Sequence, residues 1–205
     1  MIVVLATRSA GKLRELRPLF GECGLDVLDL DDVGIHESSN EDALEVYETF
    51  EENALAKARY FHRLTARATV ADDSGLCVDA LGGRPGVRSK RWSGRPDLTG
   101  QALDDENNRL LLASLANERD RHASYVCAAA YVDRDRELVC RGEVHGSMTE
   151  APRGSGGFGY DPYFLSAELG RTFAEVSREE KAIVSHRARA FRALIRAIAE
   201  LARAS

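Results

Sequence analysis

The segment Ala71-Asp72-Asp73-Ser74-Gly75 places two adjacent carboxylates where a short apolar run, Ala68-Thr69-Val70-Ala71, gives out. The run is small and strand-competent, and Gly75 permits a sharp turn directly after it. Side chains alternate across a strand, so Asp72 and Asp73 are predicted to face opposite ways. One then holds the local backbone while the other faces a cleft, where a carboxylate binds a hard cation or takes a proton from water. The competing reading is an Asx-turn that only closes a hairpin.

Four other segments place charge or glycine where folding alone does not ask for it. Thr7-Arg8-Ser9-Ala10-Gly11-Lys12 follows an apolar run and opens a helical pattern. Such a loop aims backbone N–H groups at an anion, to which Thr7 and Ser9 add hydroxyls and Lys12 a point charge. It is not a Walker A motif, and the plainer alternative is a helix capped by Ser9 with Lys12 in solvent. Gly154-Ser155-Gly156-Gly157-Phe158-Gly159 spells G-x-G-x-x-G, yet Pro152 precedes it and Pro162 disfavours helix at Asp161, so a dinucleotide fingerprint is rejected. Its glycines still let backbone approach a ligand, with Phe158 offering a ring face to a base. The alternative is a mobile loop with Phe158 in the core.

The third segment is C-terminal. Ser177-Arg178-Glu179-Glu180 fits a capping box, which starts a helix near Arg178. Its apolar stripe steps through Val184, Phe191, Leu194, Ile198 and Leu201, and Arg187 falls on that stripe where leucine is expected. A buried guanidinium needs an anion, either an internal carboxylate such as Asp73 or Asp161 or a bound nucleotide. Lys181 lies at the stripe's edge and His186 flanks Arg187. The fourth segment holds Asn53 and Lys57, i,i+4 neighbours that read by themselves as solvated helix decoration.

The elements that must position these residues alternate. Ile2–Ala6 reads as a buried strand, followed by a helix through Leu13, Leu16 and Phe20 that Pro18 kinks or shortens. Asp26–Leu30 is a second strand, and acidic Glu37–Glu45 a solvated loop. Phe50 to about Leu64 is an amphipathic helix, and Leu76-Cys77-Val78 resumes as strand after the aspartates. Residues 80–92 are irregular and 103–115 helical. Residues 123–132 and 138–144 are strands around the charged turn 133–136, and a long helix closes the chain. The order is mixed α/β.

With 205 residues, 44% hydrophobic and 30% charged, the chain reads as one ordinary globular domain spanning 1–205. A net charge of −5 argues against general binding to nucleic acid or membrane. No apolar run approaches the ~18 residues of a membrane span. Cys23, Cys77, Cys127 and Cys140 form no C-x-x-C pair, which fits reduced thiols and the cytoplasm.

Together these segments resemble the non-canonical purine nucleoside triphosphate pyrophosphatases, the inosine/xanthosine triphosphatase (Ham1-like) family. The resemblance runs nearly end to end: A-T-x-x-x-G-K-x-x-E-L at Ala6–Leu16, T-F-x-E-N-A-x-x-K-A at Thr49–Ala58, and A-D-D-S-G-L at Ala71–Leu76. It continues with G-x-G-G-F-G-Y-D-P at Gly154–Pro162 and R-E-E-K-x-x-x-S-H-R at Arg178–Arg187.

The resemblance implies an elongated, curved mixed β-sheet with flanking helices, two lobes around a central nucleotide cleft, and a homodimer. It implies hydrolysis of ITP, dITP and XTP to monophosphate and pyrophosphate with Mg²⁺ as cofactor. By position, Thr7, Arg8, Ser9, Ala10, Gly11 and Lys12 hold the phosphates, with Asn53 and Lys57 assisting. Asp73 serves as base and metal ligand, Glu45 as a further metal carboxylate, and Ser74 as a substrate contact. Phe158, Gly159, Tyr160 and Asp161 cradle the base, and Lys181, His186 and Arg187 complete the pocket. Two departures stand out: Ser9 replaces the usual asparagine, and Glu45-Val46-Tyr47 lacks the usual glycine. Rival readings are a non-catalytic nucleotide sensor, a pyrophosphatase for modified pyrimidine nucleotides, and an oxidoreductase, which local context already disfavours.

Overall fold

The computed structural model describes residues 2–203. The apolar run forms β1 (Ile2–Leu5), and α1 (Ala10–Glu22) follows, N-capped by Ser9, whose hydroxyl accepts from Lys12 N at 3.4 Å. Pro18 does not end this helix. It lies inside α1, where buried Leu16, Leu19 and Phe20 hold the turns on either side of the missing N–H. β2 (Asp26–Leu28) is shorter than expected and pairs parallel with β1, Val3 opposite Val27.

The acidic stretch expected as a solvated loop contains a 3-10 turn, Ser39–Leu44, closed by a capping box between Ser38 and Glu41. What folds it is a partner far away in sequence: Glu41 receives Arg8 through Nη2 at 2.8 Å and Nε at 3.1 Å. The helix α2 (Phe50–Thr65) starts at Thr49, whose hydroxyl accepts from Glu52 N.

β3 (Thr69–Val78) runs straight through both aspartates, so the turn expected after Asp73 is absent. Gly75 serves a close approach instead: a Cβ there would lie 2.2 Å from the Gly86 carbonyl oxygen. Across 79–92, of which 80–92 was expected to be irregular, sit two 3-10 turns and β4 (Arg84–Pro85), antiparallel to the end of β3.

Then come α3 (Gly100–Ser114), the strands β5 (His122–Val132) and β6 (Glu137–Met148) around the expected charged turn, and β7 (Phe164–Ser166), antiparallel to β6. β5 is buried along nearly its whole length, which is why it reads as a continuous apolar run rather than an alternating one. The strands run in the order β2-β1-β3-β5-β6-β7, a mixed sheet with flanking helices. The single closing helix expected from the apolar stripe is two helices, α4 (Arg178–Val184) and α5 (His186–Arg203). Ser185 between them is extended, at φ −63° and ψ 148°, which resets the helical phase.

Residues divide into two compact units within β3, β5 and β6: 2–73, 127–142 and 186–203 in the first, 74–126 and 143–185 in the second. Each has its own core. The first packs Val3, Leu5, Phe20, Val70, Phe191 and Leu194, with Phe20 and Phe191 edge to face. The second packs Leu76, Leu111, Tyr125, Phe164 and Phe173. Among the described residues no helix is long and apolar enough to cross a membrane.

Candidate active site

In the first unit, Asp72 and Asp73 lead to different partners, as strand alternation requires. Asp72 is 1% exposed and gathers side chains from three other elements. Its Oδ2 accepts from Lys12 Nζ at 2.9 Å and Arg187 Nε at 3.3 Å, with the Cys127 thiol at 3.8 Å. Arg187 Nη1 also donates to Glu15 of α1. Burial alone would raise the Asp72 carboxyl; Lys12, Arg187 and Lys57 outweigh it and hold the group well below the usual carboxylate range. Asp72 is thus a permanent anion, and the guanidinium it faces stays charged.

Asp73 has the opposite character. Burial pushes its carboxyl up to about 6; Lys57 opposes, and the nearby charge of Glu45 adds to the rise. Asn53 donates to Asp73 Oδ2 at 3.0 Å and grips the Tyr47 backbone at both N–H and C=O, at 2.9 and 3.2 Å. That grip seats Glu45, two residues earlier, beside Lys57, which donates to its carboxylate and, at 2.9 Å, to the Asp72 carbonyl. Burial favours a neutral Lys57, but Glu45, Asp73 and Asp72 keep it protonated. A carboxyl that titrates near neutrality, held beside fixed cations, can move a proton.

Among these groups four carboxylates (Glu15, Glu45, Asp72, Asp73) meet three cations (Lys12, Lys57, Arg187). The surplus negative charge concentrates at Asp73 and Glu45, two hard oxygen donors of the kind Mg²⁺ takes alongside substrate phosphates. These residues fit that cation. No group of three or more His, Cys, Asp or Glu side chains that could hold a metal is found among the described residues.

The second unit holds the glycine loop, which is neither helix nor strand over 153–159. Asp161, 2% exposed, uses Oδ2 to accept from Phe158 N at 3.0 Å and Lys181 Nζ at 2.6 Å. Gly157 is required beside it: its φ is +75°, and a Cβ would meet Asp161 Oδ2 at 2.2 Å. Lys181 Nζ also sits 5.0 Å from the Phe158 ring centroid and 5.3 Å from that of Phe173. Phe158 is 36% exposed, so it is not tucked into the core. Tyr160 faces inward, its hydroxyl donating to Ser89 O at 2.7 Å.

Several placements differ from the sequence reading. The carboxylates that Arg187 meets are Asp72 and Glu15, neither of which was among the internal partners expected. Asn53 and Lys57 are buried rather than solvated, held by partners on β3. Ser9 caps α1 as one alternative held, whereas Lys12 is on Asp72 and not in solvent. Thr7 Oγ1 accepts from Ser9 N at 3.1 Å, and Ala10 and Gly11 form the first helical turn. Arg8 is engaged with Glu41, Asp31 and the Ile35 carbonyl. Ser74 is partly exposed on β3, and His186 is buried at the start of α5. The sequence reading missed Asp72 as a hub and Glu15 as its counterpart, although Glu15 is the acid of the A-T-x-x-x-G-K-x-x-E-L motif. It also missed Asp104 and Asn108, for which no motif gave a signal.

A model of the Ham1 family matches residues 3–197. The dITP/XTP pyrophosphatase of Mycolicibacterium paratuberculosis is 49% identical over 208 residues, covering 98% of each chain. The dITP/XTP pyrophosphatase of Ralstonia nicotianae is 45% identical over 196 residues, covering 94% of each. The structure of a HAM1 protein from Coxiella burnetii superposes with a TM-score of 0.84 at 34% identity, over 98% of this chain and 99% of that one.

Proposed function

The chain belongs to the Ham1 family, and we propose on that premise that it is a dITP/XTP pyrophosphatase. It hydrolyses purine nucleoside triphosphates carrying a 6-oxo group, ITP, dITP and XTP, to the monophosphate and pyrophosphate. The observation that carries the reading is Asp73, a buried carboxyl titrating near 6 among fixed lysines.

Water attacks the α phosphorus, the bond from that phosphorus to the bridging oxygen breaks, and pyrophosphate leaves with the bond electrons. Asp73 takes the water's proton; Asn53 occupies its Oδ2, which leaves Oδ1 to receive it. Lys12 and Lys57 balance charge on the phosphate oxygens, and the α1 N-terminus with Thr7 and Ser9 supplies donors. Asp73 and Glu45 would hold Mg²⁺, which would supply charge neutralisation for the triphosphate and polarisation of the reacting phosphoryl group. Asp72 and Glu15 keep Lys12 and Arg187 in place rather than touching substrate.

The loop 158–161 receives the base, with the Phe158 ring against its face and Lys181 beside its edge. A site built on fixed polar groups rejects an adenine amino group by leaving those groups unpaired. The resemblance further implies a homodimer, which sedimentation of the purified chain tests, and the cytoplasm, where its cysteines remain thiols.

Incubation with ITP, XTP, dITP, ATP and GTP in Mg²⁺, reading monophosphate and pyrophosphate, tests the assignment. The 6-oxo substrates lacking a 2-amino group are expected to exceed ATP by on the order of 10²-fold in kcat/KM, with GTP also slower. Nucleotide binding without pyrophosphate release points to a sensor and overturns it.

A further inference from the structure

One helix face reaches a single residue of the base loop at both its N–H and its C=O. Asp104 Oδ2 accepts from Gly159 N at 2.8 Å, and Asn108 Nδ2 donates to Gly159 O at 3.0 Å. The two residues are i,i+4 on α3, the spacing that brings side chains to one face. Asn108 is 5% exposed, and its Oδ1 is buried with no hydrogen-bond partner among the described residues. A buried amide whose acceptor is unsatisfied destabilises the fold. What accounts for the residue is its other end, where Nδ2 holds Gly159 and the Asp104 carbonyl, the latter at 2.9 Å.

We propose that Asp104 and Asn108 are positioning residues for base selection, fixing the two peptides that flank Gly159 and with them the Phe158 ring and the Asp161 carboxylate. The inference rests on the reading of 158–161 as the base cradle. Within that loop Asp161 already holds Phe158 N and Lys181. The α3 pair adds the second anchor, so the loop is fixed from outside as well as from within. Without it the loop keeps its ion pair but gains more than one arrangement of ring and carboxylate. The fixed aim that distinguishes a 6-oxo from a 6-amino group is then lost.

The test compares Asp104→Ala, Asp104→Asn, Asn108→Ser and Phe158→Ala, measuring kcat and KM for ITP and ATP in Mg²⁺ and amide hydrogen exchange over 157–161. Asp104→Ala is expected to raise KM for ITP and lower the ITP-over-ATP ratio, each by about tenfold, with kcat nearly unchanged, the mark of a lost charge-assisted hydrogen bond that acts in binding. Exchange over 157–161 should quicken. Asp104→Asn retains a neutral acceptor for Gly159 N–H and should recover part of both readouts. If Asp104→Ala does not fold, Asn108→Ser carries the same expectation. An unchanged ratio in a folded Asp104→Ala or Asn108→Ser, or equal losses in Asp104→Asn and Asp104→Ala, overturns the proposal. Phe158→Ala separates the two levels. If it lowers the ratio while the α3 variants do not, only the anchor fails; if it leaves the ratio intact, the base-cradle reading fails.

Discussion

Both candidate regions are organised around a buried aspartate that receives a lysine, Asp72 with Lys12 at 2.9 Å and Asp161 with Lys181 at 2.6 Å. Beyond that pair they diverge. Asp72 collects side chains, Arg187 and Cys127 besides Lys12, from segments up to 115 residues away. Asp161 collects backbone, the Phe158 N–H three residues before it. The first region fixes a set of charges whose net value tunes Asp73; the second fixes the path of a loop that presents a ring. On the proposed function, one region does chemistry and the other holds shape. A substitution in the first should therefore change rate or stability, and one in the second should change affinity and selectivity.

The largest effect falls on the group that titrates. Asp73→Asn removes the proposed proton acceptor and should lower kcat by about 10²–10⁴-fold, the span of general-base catalysis, in steady-state pyrophosphate release. Next is the hub. Asp72→Asn strips Lys12 and Arg187 of a buried counter-charge and should cost about 3–5 kcal/mol in urea unfolding, the scale for breaking a buried ion pair from one side. The Asp72 carboxyl lies below its ordinary value in the fold, so its contribution is present above that value and fades as pH falls through the folded one. Acid unfolding of the wild type should therefore be steeper than that of Asp72→Asn.

In the second region Asp161→Asn keeps an acceptor for Phe158 N but weakens the hold on Lys181. It should raise KM for ITP about tenfold with a smaller change in kcat. The smallest effect reverses the usual direction of damage. Asp73 is raised in the fold, so its ionised form destabilises the native state at pH above about 6, and that penalty disappears as pH drops below the unfolded value. Asp73→Asn should thus melt a few degrees higher than wild type at pH 8 in EDTA, with the gain fading toward pH 4. An unchanged melting temperature at pH 8 would remove the buried-charge account of Asp73. The same titration predicts that wild-type kcat/KM for ITP rises with pH through about 6 before Mg²⁺ loading shifts it.

How much was legible in the sequence follows the range of the interactions. Ser9 and Ser177 cap helices from three residues away, the first read locally as one of two alternatives and the second as a capping box; Thr49 caps α2 in the same way, though that helix was read from its apolar face. Strand alternation gave different partners to Asp72 and Asp73, but the carboxylate expected to hold local backbone holds distant side chains instead. What escaped was set by distant partners. Asn53 and Lys57 look solvated until β3 arrives beside them, and the acidic stretch looks unstructured until Arg8 meets Glu41. Pro18 was overridden by the packing of Leu16, Leu19 and Phe20 around it. The break at Ser185 was hidden because the apolar stripe continues in composition, though not in phase, across it. The anchor from Asp104 and Asn108 acts on backbone, for which side-chain motifs carry no signal.

The division between a region that reacts and a region that selects is tested most directly by kcat/KM for ITP and for ATP in wild type, Asp73→Asn and Phe158→Ala, measured side by side. The account predicts that Asp73→Asn depresses both substrates by the same factor and leaves their ratio unchanged, whereas Phe158→Ala narrows the ratio and spares most of kcat. Pyrophosphate release at the wild-type rate from Asp73→Asn, or a ratio that moves with Asp73 and not with Phe158, would contradict it.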